Sequence, residues 1–202
     1  MTQRTVFEMQ QDTERFVLRN ARHLAADYMR GTIREGDVVV DATMGNGKDT
    51  LFLCELVGES GRVYAFDVQK EVVERTRERV EEAGFAERTT LLLAGHETMA
   101  DRIKEPVRAV MFNLGWLPGA EHAVTTRTET TLQAVDAAVN LLEPGGIVTV
   151  CVYPGHEEGT RELKALLAYA KALSVRQFNV LHHHFLNASD QTPQLILIQK
   201  NK

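Results

Sequence analysis

The sequence predicts one α/β domain with a mostly parallel seven-stranded sheet, a C-terminal antiparallel hairpin, and helices on both faces. Aliphatic runs rich in β-branched residues alternate with stretches of helical period, which is the pattern of βαβ units. The runs are continuously apolar, as in strands buried on both faces of a parallel sheet. The last two strand-like segments have no room for a helix between them. A chain of 202 residues suits one hydrophobic core, so we predict a single domain over 1–202.

The first predicted element is an N-terminal helix over 12–30, ahead of the first strand. At about 100° per residue, Arg15, Arg19 and Arg22 share one face of this helix. Val17 and Leu24 lie on the opposite face, which is expected to pack. The basic face is either an ordinary solvated surface or a contact surface for the RNA backbone.

The remaining elements follow in βα order. Predicted strands span 38–41, 63–67, 89–93, 109–113 and 147–152, and predicted helices span 49–57, 70–83, 126–142 and 157–173. Strand-like segments at 175–185 and 194–199 then form the hairpin, joined by the turn-rich residues 187–193.

Composition excludes several classes of protein. A net charge of −5 argues against a protein that coats nucleic acid by bulk electrostatics, although a local basic surface remains compatible with it. The apolar runs fall short of the roughly 20 residues of a membrane span, and the N-terminus lacks a signal-peptide core. We therefore expect a cytoplasmic protein with no membrane partner. Cys54 and Cys151 lie in apolar runs without a CxxC partner and are predicted to be buried.

The glycine-rich stretch VVVDATMGNGKDT at 38–50 is the most informative local motif. It is not a Walker A loop, because Ala42 and Asp49 stand where that loop needs a glycine and a Ser or Thr. Thr50 stands where a dinucleotide fingerprint has its third glycine. The carboxylates of Asp41 and Asp49 would repel phosphate and suit a cationic ligand. S-adenosylmethionine has this chemistry, with a sulfonium, an ammonium and no phosphate.

A second acidic residue supports this cofactor. Asp67 ends the second strand about 20 residues after the glycines, where a carboxylate accepts hydrogen bonds from ribose hydroxyls. A nicotinamide-dependent enzyme shares this feature and stays an alternative. Together with the predicted elements, the motif indicates a Rossmann-like class I S-adenosylmethionine-dependent methyltransferase. The predicted cofactor-binding residues are Asp41, Gly45, Asn46, Gly47, Asp49, Asp67, Val68, Gln69, His96 and Glu97, with His96 weighed against an ordinary loop histidine.

The residues after the fourth strand are the candidate catalytic group. Asn113-Leu114-Gly115-Trp116 has the N-x-x-aromatic spacing of amino-group methyltransferases. The Asn113 side-chain oxygen and the Leu114 carbonyl are expected to accept the N–H groups of an amine and to aim its lone pair, while Trp116 stacks on a base. In the alternative interpretation, Asn113 caps a turn and Trp116 packs in the core.

Two further segments contain candidate side chains. Tyr153 and His156 follow the fifth strand on the same edge and are expected to line the substrate pocket, with His156 able to accept a proton; ordinary turn chemistry is the alternative. On a strand, only His182 and His184 of the His182–His184 run share a face, so no metal site is predicted.

Several motifs in the same order resemble the YtqB/MnmM-like methyltransferase family. They are DATMGNGKDT, YAFDVQ, the Gly-His-Glu at 95–97, FNLGWLPG with the following Thr125-Thr126, and Tyr-x-Gly-His-x-Glu-Gly at 153–159. The resemblance extends from about Asn20 onward. It implies S-adenosylmethionine-dependent methylation of the aminomethyl group of 5-aminomethyl-2-thiouridine at the tRNA wobble position, U34. It also implies a homodimer that acts on the anticodon stem-loop of tRNA without a separate RNA-binding domain.

The resemblance also implies roles for individual residues. Asn46, Asp49, Asp67, Gln69 and His96 would hold the cofactor. In the same way, Asn113 and Gly115 would border the reacting amine. Trp116 departs from the tyrosine expected at its position, which is compatible with stacking but not with a hydroxyl role.

Three other functions fit the sequence less fully. An rRNA base methyltransferase would have the same core, a small-molecule amine methyltransferase would suit the acidic net charge, and a non-catalytic RNA- or nucleoside-binding protein could retain the fold.

Overall fold

A computed structural model describes residues 17–115 and 126–202. Its strands are β1 (Val38–Asp41), β2 (Arg62–Asp67), β3 (Thr89–Leu93), β4 (Val107–Asn113), β5 (Leu142–Val152), β6 (Phe178–His183) and β7 (Gln194–Lys200). Its α-helices are α1 (Ala21–Thr32), α2 (Lys48–Val57), α3 (Lys70–Glu82), α4 (Met99–Arg102), α5 (Thr128–Leu141) and α6 (Glu157–Ala172), with short 3-10 turns at Ala86–Arg88 and His96–Thr98. Within these ranges, no helix has an apolar stretch of membrane-spanning length.

The strands form one sheet in the order β3-β2-β1-β4-β5-β7-β6. Strands β1 to β5 pair in parallel, and β7 runs antiparallel to both β5 and β6. This confirms the predicted mostly parallel sheet with its antiparallel hairpin. The strand order reverses between β1 and β4, so the loops after these strands diverge and leave a crevice at the carboxyl edge.

Alternate residues of the central strands face two separate layers of helices. Val110 and Phe112 of β4 pack in one core with residues of α5 and α6. Ala109 and Met111 pack in the other core with residues of α1 and α2. Helices therefore cover both faces of the sheet, as predicted.

The N-terminal helix is shorter than predicted. It begins at Ala21 rather than at position 12, because Asn20 is its N-cap and the Asn20 side chain accepts a hydrogen bond from the amide of His23 at 3.2 Å. The preceding Val17 is 82% exposed and lies outside the helix, so the prediction that it packs is wrong. Arg15 is outside the described residues.

Strand β5 begins five residues earlier than predicted. Its Leu142 pairs with Val107, whereas Ile147 pairs with Ala109, so β5 has three more residues than its partner between these two pairs. Gly145, with a φ of 81°, lies in this irregular segment. The sequence Glu-Pro-Gly-Gly suggested a turn at this point, and in the structure it is an irregular start of the strand.

Both cysteines are free and buried, as predicted. The sulfur of Cys54 lies 3.1 Å from the hydroxyl of Thr89. Burial raises the pKa of the Cys54 thiol, and it raises that of Cys151 to about 12. Neither thiol is positioned as a nucleophile.

Candidate active site

A cleft of about 810 Å³ opens at the carboxyl edge of the sheet, above β1, β2, β4 and β5. Most of the residues predicted for the site line it. These are Arg22, Gly45, Asn46, Asp49, Asp67, Val68, Gln69, His96, Glu97, Asn113, Leu114, Gly115, Tyr153 and His156. Asp41, Gly47 and Arg19 are not among the lining residues, and Arg15 and Trp116 lie outside the described ranges.

Asp41 lies beneath the glycine turn rather than in the cleft. Its side chain is 1% exposed, and it accepts hydrogen bonds from the hydroxyl of Thr50 at 2.6 Å and from the amide of Thr43 at 3.1 Å. Burial, followed by the negative charge of Asp49, raises the pKa of Asp41 to about 7. Asp41 therefore holds the turn in place, and the expectation that it faces a cationic ligand does not match its position.

The glycine turn depends on two left-handed residues. Gly45 and Gly47 have φ values of 49° and 73°. A Cβ atom at Gly47 would lie 2.8 Å from Cγ2 of Thr76, so the turn packs directly against α3. Arg79 of the same helix donates to the carbonyl oxygen of Asn46. These contacts fix the backbone that forms the floor of the cleft.

Asp67 joins the glycine turn to the end of β2. One of its carboxylate oxygens accepts from the amide of Gly45 at 3.1 Å, and the other accepts from the amide of Gln69 at 2.9 Å. Burial raises the pKa of Asp67, while these amides oppose the rise. Each oxygen has a further lone pair for a ligand hydroxyl. Val68, 60% exposed, adds an apolar surface beside it.

His96 is a buried side chain that lines the cleft. Its Nδ1 lies 3.1 Å from the carbonyl oxygen of Ala42. A carbonyl oxygen can only accept a hydrogen bond, so Nδ1 has the proton in this contact. In the neutral ring, Nε2 therefore has the lone pair. Burial lowers the pKa of His96, and its ring packs edge-on to Phe112 with centroids 5.7 Å apart. His96 can thus accept a ligand N–H or O–H.

Asn113 is held by side chains on both sides. The hydroxyl of Tyr153 donates to Asn113 Oδ1 at 2.8 Å, and Asn113 Nδ2 donates to Asp49 Oδ2 at 3.3 Å. The backbone N–H of Asn113 also donates to the hydroxyl of Thr43 at 2.8 Å. Burial raises the pKa of Tyr153 to about 12, so its hydroxyl stays a donor near neutral pH. The orientation of the Asn113 amide is therefore fixed.

Among the described arginines of the predicted basic face, Arg22 alone lines the cleft. Its guanidinium lies 2.6 Å from the other carboxylate oxygen of Asp49. Arg19 instead binds Asp27 at 3.1 Å, and Arg30 binds the same carboxylate at 2.9 Å. The described part of the basic face is thus largely neutralised by carboxylates of this chain.

Gly115 and Thr126, the described residues on either side of positions 116–125, bind each other. The Gly115 amide donates to the hydroxyl of Thr126 at 3.1 Å, and the Thr126 amide donates to the Gly115 carbonyl at 3.4 Å. Thr126, Arg127 and Thr130 complete this wall of the cleft, and no site role was predicted for them. Their position at the start of a predicted helix on the ligand-binding edge was the available signal.

His156 is the N-cap of α6, which limits its acid–base role. Its Nδ1 accepts a hydrogen bond from the amide of Gly159 at 3.1 Å, so the proton of the neutral ring is on Nε2. Protonation at Nδ1 would break the cap. The expectation that His156 accepts a proton conflicts with this contact.

The histidine run at the end of β6 forms ordinary polar contacts. Nε2 of His182 lies 2.7 Å from Gln194 Oε1, and Nε2 of His183 lies 2.9 Å from the Tyr28 hydroxyl. The rings of His182 and His184 are 6.1 Å apart, as expected for residues on one face. Across the described parts of the chain, no group of three or more possible metal ligands comes together.

Residues 63–199 match the profile of the family described as "Putative rRNA methylase". The chain belongs to this family. It is 37% identical over 182 residues to the chloroplastic tRNA (mnm(5)s(2)U34)-methyltransferase of Arabidopsis thaliana, a match that covers 85% of this chain and 66% of the relative. The chain thus spans slightly less than two thirds of that relative's length.

Solved structures of two bacterial relatives match over nearly the whole chain. A "putative rRNA-methylase" from Clostridium thermocellum is 42% identical, with 92% of this chain and all of the other covered at a TM-score of 0.89. A "putative methyltransferase" from Streptococcus mutans in complex with SAH is 36% identical, with 91% of this chain and 99% of the other covered at a TM-score of 0.83. The chain therefore has the class I methyltransferase fold.

Proposed function

We propose that this protein is an S-adenosylmethionine-dependent N-methyltransferase acting on the aminomethyl group of 5-aminomethyl-2-thiouridine at U34 of tRNA. The product would be 5-methylaminomethyl-2-thiouridine. The name of the Arabidopsis relative supports this choice of substrate. The single observation that carries the proposal is the fixed amide of Asn113 at the cleft, held between Tyr153 and Asp49.

The cofactor half of the cleft fits S-adenosylmethionine. The outer lone pairs of Asp67 can accept the two ribose hydroxyls, and Val68 offers an apolar surface for the adenine. His96 Nε2 can accept a further N–H or O–H. The closely packed turn at Gly45–Gly47 brings backbone rather than side chains toward the ligand, with Asn46, Asp49, Gln69 and Glu97 around it. When bound, this cofactor supplies an electrophilic methyl group on a sulfonium.

The acceptor half suits a neutral amine. An alkylamine has a pKa above neutral and must lose one proton to expose its lone pair. The amide oxygen of Asn113 can accept an amine N–H without the full charge that would favour the ammonium form. The nearby Asp49 carboxylate could favour that form, but Arg22 already pairs with it. Methyl transfer forms the N–C bond, breaks the S–C bond and releases one proton from nitrogen.

The remaining parts of the proposal concern the substrate and the assembly. The Leu114 carbonyl would accept a second amine N–H, and Trp116 would stack on the base. Tyr153 and His156 line the same wall and would contact the nucleoside. We propose the anticodon stem-loop of tRNA as the bound region, Arg15, Arg19 and Arg22 as candidate RNA contacts, a homodimer as the assembly, and the cytoplasm as the location.

The direct test is nucleoside mass spectrometry. The purified protein is incubated with S-adenosylmethionine and tRNA that contains 5-aminomethyl-2-thiouridine, and the digested nucleosides are analysed. We expect this nucleoside to gain one methyl group and tRNA without the aminomethyl group to stay unchanged. Absence of the methylated nucleoside, with cofactor binding intact by calorimetry, would contradict the proposal.

An rRNA base methyltransferase is the second candidate, and the description of the matching family favours it. The same assay with ribosomal RNA as the substrate separates the two. Methylation of rRNA alone would select the second candidate.

A further inference from the structure

α6 contains a buried carboxylate that the proposed chemistry does not use. Glu162 is 1% exposed, and the groups that shift its pKa include no cation. Its two oxygens accept hydrogen bonds from the hydroxyls of Thr131 at 2.7 Å and Thr126 at 3.1 Å. Burial raises the pKa of Glu162, and the two hydroxyls oppose the rise. Burying a carboxyl group costs free energy, so its position needs a reason beyond packing.

The hydroxyl of Thr126 connects this carboxyl group to the cleft. A hydroxyl has one proton, and Thr126 donates it to Glu162. Its lone pairs are left to accept from the amide of Gly115, which lies 3.1 Å away. Because the Thr126 proton points to the Glu162 carboxylate, the Thr126 oxygen can only accept a hydrogen bond from Gly115.

Gly115 needs such a partner because its own backbone is permissive. Its φ is 114°, a region that glycine enters freely and other residues rarely adopt. It lies two positions after Asn113, and the intervening Leu114 has the carbonyl proposed to accept the amine. The hydrogen bond from the Gly115 amide to Thr126 thus limits the rotation of the peptides between Asn113 and Gly115, which are proposed to contact the amine.

We infer that Glu162 is a positioning residue for methyl transfer, acting through the hydroxyl of Thr126 on the Gly115 peptide. This role rests on the proposed methyltransferase function. Glu162 touches no reacting atom. It sets the geometry of the chain from Asn113 to Gly115, and correct geometry of an acceptor is a large part of the rate of a bimolecular transfer.

Two matched variants test the inference. Thr126→Val and Thr131→Val each remove one hydroxyl from Glu162 with almost no change of side-chain volume, but only Thr126 contacts Gly115. We expect both to lower thermal stability. We expect only Thr126→Val to lower kcat, by about 10-fold or more, with the Kd for S-adenosylmethionine within about twofold of wild type in both. Thr126→Ser, which retains the hydroxyl, should restore kcat.

Amide hydrogen exchange at Gly115, followed by NMR, tests the contact without activity. The amide should be protected in the wild type and in Thr131→Val, and unprotected in Thr126→Val. Equal loss of kcat in the two valine variants, or an unchanged kcat in Thr126→Val, would overturn the positioning role. If the wild-type protein methylates no substrate, the proposed function fails instead, and the exchange result still shows whether Thr126 holds Gly115.

Discussion

The two proposed halves of the cleft, one for the cofactor and one for the methyl acceptor, are built in different ways. In the cofactor half, Asp67 binds backbone amides at Gly45 and Gln69, so the geometry depends mainly on the main chain of two strand–turn units. In the acceptor half, Asn113 is oriented by side chains 40 and 64 positions away, Tyr153 and Asp49. Single substitutions should therefore alter methyl transfer more easily than cofactor affinity, because a side-chain network loses its geometry when one member is removed.

The largest expected effect is on the acceptor half. Asn113→Ala should lower kcat by about 100-fold, because a misplaced acceptor amine loses most of its alignment. The Kd for S-adenosylmethionine, measured by calorimetry, should stay within about threefold, since no contact of Asp67 changes. Asn140→Ala on the exposed face of α5 is the control. A parallel loss of kcat and affinity would show that the two halves are not separable.

The next largest effect is expected on cofactor affinity rather than on kcat. Asp67→Asn replaces one of the two acceptor oxygens by an NH₂ group, which cannot accept from the Gly45 or Gln69 amide. We expect the Kd for the cofactor to rise about 10-fold, since hydrogen bonds to a charged group contribute roughly 1.5–3 kcal/mol. At saturating cofactor, kcat should change little. Exposed Asp101→Asn serves for comparison, and an unchanged Kd in Asp67→Asn would remove Asp67 from the cofactor site.

Tyr153→Phe tests the orientation of Asn113 directly. The variant removes the donor to Asn113 Oδ1 and keeps the ring. A net hydrogen bond of about 0.5–1.5 kcal/mol corresponds to a loss of kcat of roughly 2- to 12-fold. In the double variant with Asn113→Ala, the tyrosine change should add nothing. Additive losses would show that Tyr153 acts on the substrate independently of Asn113.

Asp41→Asn concerns stability rather than activity. The folded pKa of Asp41 is about 7 and its ordinary value is 3.8, so the folded protein binds the additional proton between these values. Stability contributed by the protonated form therefore falls as pH rises through this window, and the loss is complete above about pH 7. Urea denaturation from pH 5 to pH 8 measures the free energy of unfolding at each pH. This free energy should fall less steeply in Asp41→Asn than in the wild type, with a difference in slope of up to about 1.4 kcal/mol per pH unit. Identical slopes would contradict the raised pKa.

The smallest effect is expected for Arg22, a partly exposed residue that lines the cleft. Arg22→Gln removes an ion pair whose arginine is 44% exposed, and such pairs contribute about 0–1 kcal/mol. Unfolding free energy should fall by no more than that, and kcat should stay within a few-fold. A loss of kcat that approaches that of Asn113→Ala would show that pairing of the Asp49 charge with Arg22 is essential to the proposed acceptor half.

Residues of the proposed cofactor half could be placed on the cleft from the sequence because their signals are local. Glycines at fixed spacing and an aspartate at a strand end are visible without knowledge of distant contacts, and Asp67 reached its expected place on the cleft. Asp41 was misplaced by the same reasoning. A strand-end carboxylate can face a ligand or turn under the loop, and here the hydroxyl of Thr50 and the amide of Thr43 hold Asp41 under the loop.

The sequence predicted that Asn113, of the proposed acceptor half, lies on the cleft, but it did not explain the orientation of this side chain. The motif at Asn113 predicted its place, whereas its orientation depends on Tyr153 and Asp49, which only the folded chain brings together. The Glu162–Thr126 contact joins residues 36 positions apart and has no local motif. In the fold, most strand and helix bounds followed the hydrophobic pattern, while the start of α1 depended on a cap at Asn20 that the helical period did not reveal.

The burial of both thiols has a practical consequence for labelling experiments. Cys54 and Cys151 have pKa values raised by burial, so neither offers a thiolate to maleimides or iodoacetamide near neutral pH while the protein is folded. A single cysteine placed on the exposed surface, at Val175 for example, can then take a fluorophore or spin label selectively. Distances from such a label to a labelled tRNA would report binding without removal of either native cysteine.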